Sequence, residues 1–153
     1  MERDHRGLIV PGVDVKLLER QGKTLVWQRN HEGAVVVFRR LVDTGDASTS
    51  EWRWAHWFIA RSLIELGRYE EAVEWADRAI GLADEDDTEH LRADACWLKG
   101  KALLRAGRPL PAAQSLSEAV QGNLEAVDLP EVMLLLRECQ AAKAAGGPKG
   151  GSP

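Results

Sequence analysis

Apolar residues recur along this chain at intervals of three and four, which is the spacing of amphipathic α-helices. In residues 31–42 one such stripe is formed by Ala34, Val35, Phe38, Leu41 and Val42. The same spacing predicts helices over about 13–26, 31–42, 51–66, 69–82, 88–106, 109–121 and 130–145. No segment alternates between apolar and polar residues over a sustained length, as a half-buried strand would. The pattern therefore predicts an all-α fold.

Glycine and proline divide the chain between these helices. Gly67 and Gly107 each follow a predicted helix, at the position where a left-handed glycine commonly ends one. Pro11-Gly12 is a turn signal, and the tail GGPKGGSP has no core-forming residues. We predict an extended N-terminal arm at 1–12, three helical hairpins at 13–122, a C-terminal capping helix at 123–145 and a flexible tail at 146–153.

An internal repeat is the strongest signal in the sequence. The segment LIELGRYEEAVEWADRAI at 63–80 aligns with LLRAGRPLPAAQSLSEAV at 103–120, and a weaker copy is LVWQRNHEGAVVVFRRLV at 25–42. The first two copies share a leucine, the glycine between the helices, and two spaced alanines. In the weaker copy Arg29 stands where the glycine would be. Self-similarity of this kind predicts stacked supersecondary units.

This pattern resembles the tetratricopeptide repeat, in which a small residue precedes an inter-helix glycine, an aromatic and two alanines. The matching positions are Ala60, Leu63, Gly67, Tyr69, Ala72 and Ala79 in one copy, and Gly100, Leu103, Gly107, Ala112 and Ala119 in the next. The resemblance covers about 15–120. It departs from the family in its period, because Ala34, Ala72 and Ala112 are 38 and 40 residues apart instead of about 34. The usual proline after the second helix of each hairpin is also missing.

The resemblance implies a non-enzymatic adaptor that binds a protein or peptide in a concave groove lined by the first helix of each hairpin. Its register places Lys23, Arg61 and Lys101 at one equivalent position. The predicted groove residues are Lys23, Trp54, Trp57, Arg61, Ile64, Trp97, Lys101 and Leu104. Cations and indoles together would suit a partner with acidic and apolar groups. The asparagine of the family's carboxylate clamp is absent, which argues against a chaperone co-factor.

Tryptophan is over-used in this chain, with six copies beside one tyrosine and two phenylalanines. We predict that Trp27, Trp52 and Trp75 pack between helices. For Trp54 and Trp57, the sequence leaves core and groove open.

Composition and charge restrict the function further. A length of 153 residues with 44% hydrophobic content suits one domain, and a net charge of −4 argues against a nucleic-acid partner. Two cysteines make no disulfide framework or metal motif, and the sequence contains neither a phosphate-binding glycine loop nor a nucleophile elbow. We predict no enzyme activity, no cofactor and no metal. With no signal peptide and no apolar run of membrane length, we predict a cytoplasmic protein without a membrane partner.

Two alternatives remain at this point. In the first, the chain is a self-associating scaffold that forms a homodimer. The interface would be either the Trp-rich face or Met133 and Leu134, which lie outside the apolar stripe of the capping helix. In the second, it is a sensor in which Trp54, Trp57 and Trp97 enclose a small ligand.

Overall fold

The computed structural model describes residues 13–86, 89–122 and 129–151, and within them the chain forms seven α-helices and no strand. The helices are α1 (Val15–Trp27), α2 (His31–Thr44), α3 (Ser50–Glu65), α4 (Tyr69–Asp86), α5 (Glu89–Arg105), α6 (Pro109–Gln121) and α7 (Leu129–Gly151). The prediction of an all-α helical repeat is confirmed.

Polar side chains start several of these helices by capping free backbone N–H groups. A carboxylate oxygen of Asp14 accepts from the N–H of Leu17 at 3.1 Å, and the side-chain oxygen of Asn30 accepts from Gly33 at 2.9 Å. The hydroxyl of Thr49 accepts from the N–H of Trp52 at 3.2 Å. Each cap satisfies a donor that the first turn leaves without an intrahelical partner.

The helices stack in chain order, and the stack is curved. Each helix packs against the next, and α1 also contacts α3, α3 contacts α5, and α5 contacts α7. Between the described residues of α2, α4 and α6 there is no such contact. Because the odd-numbered helices lie closer together than the even-numbered ones, they form the inner, concave layer of the stack.

Two glycines allow the helices of a hairpin to approach closely. A Cβ added at Gly22 would lie 2.5 Å from Cζ of Phe38, and one added at Gly100 would lie 2.5 Å from Cγ of Leu116. Both partner side chains are fully buried. The small residue that the repeat places in the first helix therefore makes room for a large residue of the second helix.

Several helix bounds differ from the sequence prediction. α4 continues to Asp86 instead of ending near 82, and α7 begins at Leu129 and continues to Gly151 instead of ending at 145. Residues 146–151, which belong to the predicted tail, are part of this helix. A glycine ends a helix when it takes a left-handed conformation, and Gly146 has no such backbone angle. The arm at 1–12 and residues 123–128 lie outside the described residues, so the division into domains stays a prediction.

Candidate functional site

The three cations that the repeat register equates lie on the concave helices, and each is placed over an aromatic ring. The Nζ of Lys23 is 5.5 Å from the ring centroid of Phe58, and the guanidinium carbon of Arg61 is 5.5 Å from that of Trp57. The Nζ of Lys101 is 5.8 Å from the ring centroid of Trp97. These separations fall within the range of cation–π attraction. We call these three residues the cation line.

Beneath the cation line, the aromatic rings contact one another in a continuous row. Phe58 stacks on Phe38 with centroids 4.7 Å apart, and Trp57 meets Phe58 edge-on at 4.9 Å. Trp57 then contacts Trp97 of the next hairpin at 6.5 Å and Trp54 at 5.8 Å. We call these five residues the aromatic row. It extends across three helical hairpins, so all three cations lie over rings of the same contiguous cluster.

Two of the three indoles predicted for the groove, Trp57 and Trp97, are buried in the aromatic row. Trp57 is 3% exposed and Trp97 is 7% exposed, and Ile64 is also buried. The contact of α3 with α5 brings the rings together and excludes water from their faces. Trp54 and Leu104 are half-buried. The indole N–H groups of Trp57 and Trp97 are buried, and within the described residues they have no hydrogen-bond acceptor.

The cations differ in how they are neutralised. Lys101 is paired with Glu131 of α7 at 2.8 Å, and Lys23 is paired with Glu19, one turn earlier on α1, at 3.2 Å. Arg61 is exposed and has no carboxylate partner among the described residues. Arg61 is therefore the member of the cation line whose charge is left for an external group.

Helix α7 occupies the C-terminal end of the concave face. Its Glu138 pairs with Arg105 of α5 at 3.1 Å, two helical turns after the pair between Glu131 and Lys101. Val132 and Leu135 of the same helix are buried in the stack. At this end of the concave layer, two carboxylates of α7 thus neutralise two cations of α5.

Among the described residues, no helix covers the N-terminal end of the concave face. A hollow of about 660 Å³ lies between α1, α3 and the turn that joins α1 to α2. Side chains around it include Lys23, Trp27, Arg29, Phe58, Arg61 and Glu65. We call it the N-terminal hollow. Trp27 is 89% exposed, so the prediction that it packs between helices is wrong: it is the last residue of α1, beyond the face that α1 buries.

Arg29 is the second residue at this hollow that sequence reasoning did not assign to the site. The turns after α1, α3 and α5 have the same hydrogen-bond pattern, with left-handed residues Arg29 at φ 60°, Gly67 at 75° and Gly107 at 82°. In each turn the following N–H donates back to a leucine carbonyl, as from Asn30 to Leu25 at 2.8 Å. The sequence contained one signal for Arg29, its alignment with the two glycines. A residue other than glycine is strained in the left-handed conformation, so its presence at that position calls for a functional reason.

The other tryptophans predicted to pack do so. The indole N–H of Trp52 donates to the carbonyl of Val42 at 2.9 Å. Trp75 is buried, and the guanidinium of Arg78 lies 4.4 Å from its ring centroid. The predicted oligomer surface is exposed: Met133 is 45% and Leu134 54% accessible.

Burial favours the neutral forms of His56 and Cys96. Burial lowers the pKa of His56, whose Nδ1–H donates to the carbonyl of Trp52 at 2.9 Å. Burial also raises the pKa of Cys96 to about 11, which makes it a poor nucleophile.

No group of three or more histidine, cysteine or carboxylate side chains suited to a metal ion occurs among the described residues. None of the described helices combines the length and hydropathy of a membrane span.

Comparison with known families adds one match. The family model of the tetratricopeptide repeat matches residues 55–86, which cover most of α3 and all of α4. No curated protein matches the chain. The match and the seven consecutively packed helices together fit a tetratricopeptide-like repeat. Repeats of this family suggest a module for protein–protein interaction, and domains built from them are in general non-enzymatic scaffolds.

Proposed function

We propose that this tetratricopeptide-like stack is an adaptor module whose concave face binds a peptide or helix of a partner protein. The groove would consist of the predicted set, Lys23, Trp54, Trp57, Arg61, Ile64, Trp97, Lys101 and Leu104. One observation carries the proposal: three equivalent cations lie on one face, each over a ring of the aromatic row. A cytoplasmic location and the lack of a cofactor stay predictions of the sequence.

The chemistry of this face favours a partner with both carboxylates and apolar groups. Arginine pairs with carboxylates in a bidentate geometry, and a cation held over a ring loses little freedom when it binds. The half-buried Trp54 and Leu104 supply apolar surface beside the cations. Arg61 would therefore pair with a carboxylate of the partner, while apolar groups of the partner pack against Trp54 and Leu104.

The central test uses Arg61 instead of Trp57. Because Trp57 is 3% exposed, Trp57→Ala would cost about 3–5 kcal/mol of stability and confuse folding with binding. Arg61 is exposed and makes no ion pair within the described residues. Its replacement changes the charge of the groove and leaves the core in place.

The experiment selects peptides from a random phage-displayed dodecapeptide library on the immobilised full chain. Enriched peptides are synthesised and titrated by calorimetry into the wild type, Arg61→Glu and the control Arg40→Glu, an exposed charge reversal on α2. We expect acidic and apolar peptides, with affinity at least about tenfold weaker for Arg61→Glu and within about twofold for Arg40→Glu. The affinity of the Arg61→Glu variant for these peptides should also depend less on salt concentration than that of the wild type.

The groove proposal is overturned if selected peptides bind Arg61→Glu and Leu104→Ala as tightly as the wild type. It is overturned equally if selection enriches no peptide that binds the chain in solution.

A second candidate function is a homodimeric scaffold, favoured by the apolar surface of α7. Leu129, Met133 and Leu134 are each between 45% and 54% exposed, and a cluster of apolar side chains on one helix is typical of interfaces. Light scattering after size exclusion tests it. A dimer that Leu134→Glu converts to a monomer supports the scaffold, whereas a monomeric wild type at all concentrations rejects it.

A further inference from the structure

We propose that an acidic segment of the partner, carrying a large apolar side chain between its carboxylates, docks in the N-terminal hollow. Trp27 would contact the apolar side chain, and Arg29 and Arg61 would pair with the carboxylates. This inference rests on the proposed function and deepens it, because it names the place of binding, two residues outside the predicted groove, and the chemistry of the partner.

Trp27 is the first observation. Its side chain is 89% exposed although the residue ends a helix of the concave layer and lies beside the hollow. An indole in contact with water is unfavourable, and aromatic side chains of this kind dominate the centres of binding interfaces. Of the three indoles of the predicted groove, Trp57 and Trp97 are buried and Trp54 is half-buried, so none offers comparable surface.

Charge is the second observation. Three cations line the hollow, and one of them, Lys23, is already paired with Glu19. Arg29 and Arg61 remain against one lining carboxylate, Glu65, in a chain whose net charge is −4. Neither arginine has a carboxylate partner among the described residues. A local excess of positive charge in an acidic protein attracts anionic partners and directs their approach.

The backbone at Arg29 is the third observation. Its φ of 60° lies in the region that the other two hairpins fill with Gly67 and Gly107, in turns with the same hydrogen bonds. A side chain in this conformation costs stability that glycine would not. Residues held in such conformations cluster at ligand-binding sites, and at this position the strain places a guanidinium at the hollow.

The ion pairs between α7 and α5 show that cations of the concave layer accept carboxylates. At the C-terminal end, Glu131 and Glu138 of α7 pair with Lys101 and Arg105, at 2.8 and 3.1 Å. Carboxylates of the chain itself thus neutralise the cations at that end. At the N-terminal end, no carboxylate of the described residues forms such a pair with Arg29 or Arg61. An acidic segment of a partner would complete the same pattern there.

The test uses a blocked hexapeptide with the sequence Glu-Asp-Phe-Leu-Asp-Glu, acetylated and amidated so that its only carboxylates are side chains. Calorimetric titration into the full chain should give a Kd below about 1 mM. Two peptides serve as comparisons, one with Gly-Ser in place of Phe-Leu and one with lysines in place of the acids. Both should bind at least about tenfold more weakly.

Variants at the hollow locate the site. Trp27→Ala and Arg29→Gly should each weaken binding of the acidic apolar peptide by about tenfold. The controls Val36→Ala and Arg40→Glu remove an exposed apolar group and an exposed cation from α2, and they should change the Kd by less than about twofold. Arg29→Gly should at the same time raise Tm by about 2 °C, because it relieves the strained backbone. A purely structural role would not combine higher stability with weaker binding.

The outcomes separate this inference from the proposed function. If the peptide binds, and Arg61→Glu weakens it while Trp27→Ala and Arg29→Gly do not, the partner lies elsewhere in the groove and only the inference fails. If neither this peptide nor any selected peptide depends on groove residues, both fail. Acrylamide quenching of Trp27, taken as the difference between wild type and Trp27→Phe, gives a further test. A protected Trp27 in the free chain would mean that this chain or a second copy covers it, and would overturn the inference.

Discussion

The guanidinium of Arg61 lies over the indole of Trp57, 5.5 Å from the ring centroid and one helical turn further along α3. The ring is buried and the cation is exposed. The pair therefore joins the core of the stack to its concave surface. Lys101 and Trp97 repeat the arrangement on α5 at 5.8 Å, so the relationship belongs to the repeat and not to one hairpin.

The two members of this pair should contribute unequally to stability. Arg61→Met removes a cation–π attraction at an exposed site and should lower the free energy of unfolding by less than about 1 kcal/mol. Trp57→Ala should lower it by about 3–5 kcal/mol, because it leaves a cavity in the aromatic row. Urea unfolding followed by circular dichroism measures both. Equal losses would contradict the division into core ring and surface cation.

Glycine-to-alanine substitutions should separate close packing from helix propensity. Gly22→Ala and Gly100→Ala would place a methyl group 2.5 Å from Phe38 and Leu116 respectively, so each should destabilise the fold by about 1–3 kcal/mol. Gly81 is the matched control, since a Cβ there meets nothing within 4 Å. Gly81→Ala should stabilise α4 by about 0.5–1 kcal/mol. Thermal unfolding that moves Tm the same way in all three variants would contradict the predicted interhelical contacts.

Two neighbouring leucines of α7 should contribute very differently to the free energy of unfolding. Leu135 is 2% exposed and Leu134 is 54% exposed. Leu135→Ala should cost about 2–5 kcal/mol by opening a cavity in the stack, and Leu134→Ala should change stability by no more than about 0.5 kcal/mol. Chemical denaturation of both variants at equal concentration gives the comparison. Similar values would mean that α7 does not cap the stack through this face.

Acidification should destabilise the fold through His56. Burial favours the neutral imidazole and lowers the pKa of the folded state below the ordinary value of 6.5, and the nearby charge of Arg78 acts in the same direction. The unfolded state then binds more protons, so the stabilising contribution is present above pH 6.5 and is lost as pH falls below it. The free energy of unfolding should decrease from pH 7.5 to 5.5 by more in the wild type than in His56→Phe. Parallel pH profiles would disprove this.

Neither cysteine should react readily in the folded protein. Cys96 and Cys139 are 1% and 2% exposed, and burial raises the pKa of both thiols, that of Cys96 to about 11. Little thiolate is present at neutral pH. Ellman's reagent at pH 7.5 should modify neither thiol within minutes, and both in concentrated urea. A rapidly reacting thiol in the native chain would show that one of them is accessible.

The sequence alone determined the class of fold and the register of the repeat. Helical spacing of apolar residues is a local property, and the glycines and alanines at fixed offsets mark where helices end and where they approach. Gly67 and Gly107 end helices as predicted, and Arg29, which stands at the same position of the weaker copy, takes the same left-handed conformation. The equivalence of Lys23, Arg61 and Lys101 followed from the same register.

Tertiary structure alone decided which of these side chains reach solvent. Helical periodicity places Trp57 and Trp97 on the concave helices, but only the distance between α3 and α5 determines that their rings contact and become buried. Trp27 has the same chemistry and is exposed, because it ends α1 beyond the packed face. Burial depends on the neighbours that curvature brings together, and those neighbours are distant in the sequence.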